Sequence, residues 1–371
     1  MPIFSGNDDS ALITERLQHW IRRKPGYGGA LVDPINAATA GTGWSNETYK
    51  VTFTRPGASA ETLILRLPPV GESLLRDYDV ALQYNTMKAL EGIDGYPVVK
   101  GRWLETDQRF LGRPFYLMEF AEGAPAADRP IYYNSGWIAE ATREERHRLW
   151  TSTVDTISRL APIDWRARGL DVYCWPDRGR SCIEQNLEHW EGIYAWGATF
   201  FPEAPLPHIV VDLAKWLRAN LPDEAEVSFN WGDARFANVI YRDFEPVALL
   251  DWELAMLGDP ELDITFMLFA DRHLQLLAGD GETLPQLPGF LTEAQTLERY
   301  EALRGKKVRN PNFYWLFNAY RIYGVRQRIA GLSVKWNTLT RDAALRLRKV
   351  PTLEADVRRR MDMKPSAVWE G

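Results

Sequence analysis

Apolar and polar positions follow two different periods in the two parts of this chain. Residues 9–23 place Leu12, Ile13, Leu17, Trp20 and Ile21 on one helical face, with Asp8 to Ser10 as capping candidates. From about 30 to 120 the texture changes to short apolar runs between Gly and Pro breaks: ALVDPINAA, TYKVTF (48–53), ETLILRL (61–67), YPVVKGRWLE (96–105) and PFYLMEF (114–120). Such runs predict strands, because successive side chains of an extended backbone point to opposite faces. One helical segment, roughly Leu74 to Leu90, interrupts them. Five strands and one helix predict a small α+β unit, and the order of elements does not fit a βαβ dinucleotide fold.

After Ala121-Glu122-Gly123-Ala124-Pro125 the period becomes helical, with segments expected at 143–160, 181–196, 208–220, 260–277, 291–304, 312–331 and 337–348. The strong β signal in this part is a hairpin within 238–251. The composition shift places a domain boundary at the linker, giving an N-terminal unit over 1–120 and a mostly helical unit over 121–371.

Bulk composition narrows the function classes. The chain has 371 residues, 45% hydrophobic and 25% charged, which is enough for a core of ordinary size. A formal net charge of −6 disfavours nucleic acid as a partner, since a phosphate backbone selects basic surfaces. No apolar run reaches the ~20 residues that span a bilayer. The N-terminal MPIFSGNDDSALITERLQHW lacks the basic and apolar blocks of a signal peptide, so a cytoplasmic protein is expected. Cys174 and Cys182 are the only cysteines and the five histidines are scattered, which excludes a disulfide framework and gives no zinc spacing. The oligomeric state is not legible.

The chemistry concentrates in SFNWGDARFANVIYRDFEPVALLDWELAMLGDPELD, residues 228–263. Asp233 sits in a polar, glycine-bearing loop, Asn238 follows five positions later, and Asp251 lies beyond the hairpin. Phosphoryl transfer from ATP needs a carboxylate to accept a hydroxyl proton, plus an amide and a carboxylate to hold magnesium. With NVIY (238–241) and VALLD (247–251) paired symmetrically about the RDFEP loop, Asn238 is expected opposite Asp251. Directly opposed residues lie ~5 Å apart, close enough to share a hard cation. The run Gly41-Thr42-Gly43-Trp44-Ser45-Asn46 lies between two predicted strands and fits a phosphate-contacting loop. It does not fit a dinucleotide fingerprint, which needs a strand before it and a helix after it. No GxxxxGK[ST] occurs, so a P-loop mechanism is excluded. Asp259 before Pro260 reads as a helix start, Asp259 and Asp263 as structural, and Arg358-Arg359-Arg360 as a solvated face. Arg321, Arg326 and Arg328 on an aromatic-rich helix read as snorkelling or paired residues, with contact to an anionic substrate as the alternative.

The segments WGDARFAN and DWELAMLGDPELD resemble the aminoglycoside phosphotransferase and choline kinase-like families, with GTGWSNETY, LILRLPP and GRPFYLMEF in the expected order. Within them, LRLPP and WGDARFAN look like the branch related to the kinase domain attached to some acyl-CoA dehydrogenases. The resemblance implies a bilobal protein-kinase-like fold: a five-stranded N-lobe with one main helix, and a helical C-lobe carrying the catalytic hairpin. It implies an ATP- and Mg²⁺-dependent phosphotransferase acting on a hydroxyl of a small molecule, with Asp233 as base and Asn238 and Asp251 as metal ligands. Gly43, Ser45, Asn46, Arg66, Met118, Glu119 and Ala121 are the corresponding nucleotide contacts. Three departures stand out: Trp231 replaces the usual histidine, Arg66 the lysine that contacts phosphates, and Gln83 the helix glutamate that pairs with it. Arg66 and Gln83 keep open a nucleotide-binding pseudokinase or sensing module without transfer, and a third reading keeps the fold but transfers AMP instead of phosphate. Among acceptors, aminoglycosides, macrolides, choline-like alcohols and hydroxyacyl-CoA remain.

Overall fold

The computed structural model describes residues 10–35, 46–69, 71–76, 78–126, 130–223, 226–279 and 284–369. The chain divides into two compact units, one of residues 1–93 and 98–121, the other of 94–97 and 122–371.

The first unit opens with α1 (Ser10–Ile21), whose buried residues Ile13, Leu17, Trp20 and Ile21 are the apolar stripe of the sequence. Its five strands are β1 (Leu31–Val32), β2 (Glu47–Thr54), β3 (Glu61–Leu67), β4 (Gly101–Glu105) and β5 (Phe115–Glu119), with α2 (Val80–Leu90) between β3 and β4. They form one sheet in the order β1-β2-β3-β5-β4, antiparallel at every pairing. Alternation places Val51, Phe53, Leu63, Leu65, Phe115 and Leu117 in one core with the buried stripe of α1. Trp20 donates its indole N–H to Glu105 at 2.8 Å, so this large side chain is buried without an orphaned donor.

Two expectations shorten here. β1 covers two residues of the ALVDPINAA run, because Pro34 has no N–H to give a ladder. The helix expected from Leu74 begins at Val80, where Asp79 caps it by accepting from the Ala81 N–H at 2.7 Å. Leu74 and Leu75 are buried from a non-helical segment.

The second unit is mostly helical. After β6 (Ala124–Pro125) come α3 (Trp137–Glu140), α4 (Arg143–Ser158), α5 (Cys182–Ala198) and α6 (His208–Ala219). Four strands follow: β7 (Ser228–Asn230), β8 (Val239–Arg242), β9 (Glu245–Leu249) and β10 (Met256–Gly258). Then come α7 (Glu261–Ala278), α8 (Glu293–Arg304), α9 (Pro311–Lys335), α10 (Arg341–Leu347) and α11 (Pro351–Met361). The centre is α9, of whose 25 residues 19 are buried, and it packs against α5, α6, α7, α10 and α11. β7 pairs with β10, and β6, β8 and β9 make a second small sheet. The linker therefore becomes a strand. Gly123 is required there, since a Cβ would lie 2.4 Å from the Tyr241 carbonyl oxygen.

The hairpin register differs from the symmetric one. Val239 faces Leu249 and Ile240 faces Ala248, with a bulge before Tyr241↔Pro246 and Arg242↔Glu245. Two features cause the slip. The turn is Asp243-Phe244 alone, both at positive φ (52° and 63°), the conformation that matches strand twist in a two-residue hairpin. Pro246 cannot donate to the ladder, and the bulge falls beside it.

Candidate active site

β7 delivers the chain into the loop 231–238, which is fastened from below at every residue up to Asp233. Trp231 and Gly232 donate their backbone N–H groups to the two oxygens of Asp263 at 2.7 and 2.8 Å. The Gly232 carbonyl accepts from Arg321 Nη2 at 2.5 Å, and Arg321 Nη1 donates to Asn318 Oδ1 at 2.9 Å. Gly232 has φ +84°, and a Cβ there would come within 1.8 Å of the Leu254 carbonyl oxygen. Trp231 is fully buried, and its indole N–H is shared between the Leu250 and Asp251 carbonyls at 2.9 and 3.1 Å. The tryptophan in the usual histidine position thus ties the Asp233 loop directly to the Asp251 segment.

At the loop's end the functional groups meet. Asn238 Nδ2 donates to Asp233 Oδ2 at 2.7 Å and to the Asp233 carbonyl at 3.1 Å. Because its NH₂ is spent on Asp233, the amide oxygen is directed away from that residue. Arg235 Nε donates to the other oxygen, Asp233 Oδ1, at 3.1 Å. Burial raises the Asp233 pKa from its ordinary value. Arg235 opposes the shift, and the Asp251 charge adds to it. That influence puts Asp251 in the electrostatic neighbourhood of Asp233, but not across the ladder from Asn238 as expected. The Asn238 carbonyl instead accepts from the Leu250 N–H at 2.8 Å, because the register has slipped. Asp251 follows β9 at φ +66°, a left-handed turn that sets its direction off from the strand.

An amide oxygen and a carboxylate beside a second carboxylate suit a hard cation. Magnesium takes one or two protein oxygens and fills its remaining positions with water and phosphate. Among the described residues no group of three or more His, Cys, Asp or Glu side chains gathers around a metal-sized space. Asn238 and Asp251, the metal candidates of the sequence, each offer an oxygen-bearing side chain of the kind magnesium takes from a protein.

The other sequence candidates lie in the first unit. Gly43 and Ser45 lie outside the described residues. Asn46 is buried immediately before β2. Arg66 is 7% exposed on β3, facing Thr48 on one side and Tyr116 on the other, so it is not an exposed strand residue. Gln83 accepts from the Tyr116 hydroxyl at 3.4 Å. Met118 and Glu119 close β5, opposite Ile64 and Leu63, and Ala121 follows two residues after its end. Arg66 and Asn46 therefore share one end of the sheet, while Met118, Glu119 and Ala121 lie toward the other end of β3.

The acidic block after the hairpin is structural. α7 begins at Glu261 after Pro260, and the Asp259 carboxylate reaches the Tyr314 hydroxyl and, at 3.3 Å, Arg309. Glu261 accepts from the Arg309 and Asn310 N–H groups and so covers the start of α9. Burial pushes the Asp263 carboxyl up to about 6 despite its two backbone donors. The arginines of α9 work internally: Arg321 as above, Arg326 through the Leu347 carbonyl at 3.0 Å, and Arg328 against Trp196.

Two residues escaped the sequence reading. Arg235 sits inside the WGDARFAN motif itself, and its adjacency to Asp233 was the available signal. The other is His273 on α7. Burial, with Arg326 and Arg235 adding to it, pushes its imidazole down to about 3, so it is neutral at ordinary pH. No periodicity marks it.

Comparisons with known proteins give the chain its family and fold. The family model described as "Phosphotransferase enzyme family" matches residues 37–304. Mouse acyl-CoA dehydrogenase family member 11 is 25% identical over 337 residues, covering 89% of this chain and 40% of that protein. Mouse acyl-CoA dehydrogenase family member 10 is 27% identical over 293 residues, covering 77% of this chain and 25% of that protein. The chain thus spans well under half the length of these relatives. A solved structure from Ralstonia eutropha JMP134, provisionally assigned as an aminoglycoside phosphotransferase, superposes with a TM-score of 0.68 at 25% identity, over 93% of this chain and 98% of that one. Aminoglycoside phosphotransferase APH(4)-Ia, solved with AMP-PNP and hygromycin B, has a TM-score of 0.54 at 14% identity, covering 92% of this chain and 97% of that one, and speaks for the fold alone. The fold is protein-kinase-like.

Proposed function

Because the chain belongs to the phosphotransferase enzyme family, we propose that it moves the γ-phosphate of ATP onto a hydroxyl of a small molecule. The observation that carries this reading is the Asp233–Asn238 hydrogen bond at 2.7 Å, set beside the Asp251 charge on a loop fastened through Asp263 and Arg321.

Asp233 holds the acceptor hydroxyl and takes its proton. Its raised pKa brings it nearer to working pH, which favours a general base. Asn238 fixes the carboxylate rotamer through its NH₂ and offers its amide oxygen to magnesium, with Asp251 as the second ligand. Bound magnesium would neutralise charge on the phosphate chain. Arg66, Asn46, Gly43 and Ser45 are assigned to the phosphates, and Met118, Glu119 and Ala121 to the base edge. Most of the acceleration would come from alignment and electrostatic stabilisation.

The acceptor we favour is a hydroxyacyl thioester or a related hydroxylated metabolite. The two mouse relatives are acyl-CoA dehydrogenase family members. Arg235, bonded to Asp233, also places a guanidinium where a cationic aminoglycoside would bring ammonium groups. An ATP-coupled screen over hydroxyacyl-CoAs, aminoglycosides, macrolides and choline-like alcohols tests this. Turnover on hydroxyacyl-CoAs above the others is expected, and turnover confined to aminoglycosides would overturn the acceptor. Binding of Mg·ATP without transfer to any of them would favour the pseudokinase reading, and a product heavier by a nucleotidyl group would replace the reaction.

A further inference from the structure

Two nitrogen-bearing side chains of the helical unit, His273 on α7 and Arg326 on α9, are half-buried and have no acidic partner among the described residues. Resting on the transfer reading above, we propose that this pair holds a negatively charged group of the acceptor while the acceptor hydroxyl reaches Asp233.

The two helices pack against each other. Arg326 donates from Nε to the Leu347 carbonyl at 3.0 Å, which sets the plane of its guanidinium. Among the described residues its two Nη groups make no hydrogen bond or ion pair. Those in-plane N–H groups match the oxygens of a carboxylate or phosphate. The His273 ring stacks on Phe269, with centroids 5.8 Å apart and 8° between the planes, and its Nδ1 is buried without a hydrogen-bond partner. A buried polar atom without a bond is unfavourable, and a bound oxygen would relieve it. The charges of Arg326 and Arg235 both act on His273 and, with burial, keep it neutral. A neutral imidazole still has one N–H to donate, so it can join the guanidinium on an oxygen anion.

The carboxylates of the surrounding turns are committed elsewhere. Asp271 accepts from the Tyr132 and Tyr133 hydroxyls, and Asp356 pairs with Arg272 at 2.6 Å. Glu354, whose charge acts on Tyr323 of α9, pairs with Arg358 at 2.9 Å. No carboxylate is among the groups that act on His273 or Arg326. Positive charge is thus in excess at this point of a chain whose net charge is −6. Arg235 connects the pair to the reacting groups: its Nε donates to Asp233 at 3.1 Å, and its charge reaches His273. Perturbed ionisable groups gathered beside a reacting carboxylate mark functional surface.

Binding is read by isothermal titration calorimetry on the full chain without ATP, so the outcome does not depend on transfer. The probes are hydroxybutyrate, hydroxybutyryl-CoA and the uncharged butanediol. The wild type should bind one of the charged probes about tenfold more tightly than butanediol, the worth of one charge-assisted hydrogen bond. Arg326→Gln should abolish that preference, Arg326→Lys should keep most of it, and His273→Gln, on the other helix, should reduce it. Hydroxybutyryl-CoA as the tighter charged probe assigns the anion to the phosphates of a thioester, and hydroxybutyrate assigns it to a carboxylate. No preference in the wild type, or a preference that survives in both Arg326→Gln and His273→Gln, overturns the inference. Transfer without any charge preference would count against this inference alone, and a charge preference without transfer to any acceptor against the transfer reading alone.

Discussion

Replacing Arg321 by methionine separates two roles that a buried arginine on α9 could have. Arg321 is 1% exposed, bonds the Gly232 carbonyl and Asn318, and favours the ionised forms of Asp233 and Asp263. Methionine keeps most of the volume and removes the charge. The Gly232 carbonyl and Asp263 would then stay buried without their cation, and breaking a buried charged pair from one side costs about 3–5 kcal/mol. In a unit of this size a loss of that order lowers Tm by about 10 °C. The loop residue next to Gly232 is Asp233, and a displacement of about 1 Å at a reacting group lowers turnover roughly 100-fold. The assays are a thermal melt and steady-state kinetics on the same preparation. The anchoring role predicts that Tm and kcat fall together. A variant with unchanged Tm and kcat but a raised KM for an anionic acceptor would refute it, and would make Arg321 a substrate contact.

Other outcomes follow from the same structure. Burial pushes Asp271 up to about 6 although the Tyr132 and Tyr133 hydroxyls donate to it at 2.7 and 3.0 Å. A folded-state pKa above the unfolded one means the native state holds the extra proton between the two values, so stability falls as pH rises from about 4 to about 6. Asp271→Asn should remove on the order of 2–3 kcal/mol of that slope in urea denaturation at pH 4 against pH 7.5, and an unchanged slope would contradict the assignment. Gly232→Ala should lower Tm and nearly abolish turnover, because its Cβ would meet the Leu254 carbonyl oxygen at 1.8 Å. Wild-type activity there would mean that the loop has another conformation. Trp231→His, which restores the residue more usual in the family, should destabilise by about 2–4 kcal/mol through the cavity it opens, as read by chemical denaturation.

Legibility from sequence followed the length and regularity of each pattern. α1, β2, β3 and β5 lie where alternation or the helical period placed them, because each has several residues facing one core. β7 and β10 were not expected: each has three residues, all buried, and offers no alternation to read. α11 was legible only as a helix face at Arg358–Arg360, without bounds, because Pro351 and the basic run obscure its apolar positions. The run itself is not wholly solvated, since Arg360 is buried against Glu293 at 2.6 Å. At the site, the types and spacing of Asp233, Asn238 and Asp251 were visible, but their pairing was not. That depends on a two-residue turn and a bulge beside Pro246, whose effect on register the hydrophobic pattern does not carry. The fastening of the loop by Asp263, Arg321 and Trp231 was likewise out of reach, since those contacts cross long stretches of chain.

The most direct test of the phosphotransferase reading is ³¹P NMR of the purified chain with Mg·ATP and a hydroxyacyl-CoA, run beside Asp233→Ala. The wild type should convert the γ-phosphate signal into a phosphate monoester resonance with equimolar ADP, and the variant should show neither while its melting temperature still rises with Mg·ATP. Ester formation by the variant at the wild-type rate would contradict the role given to Asp233.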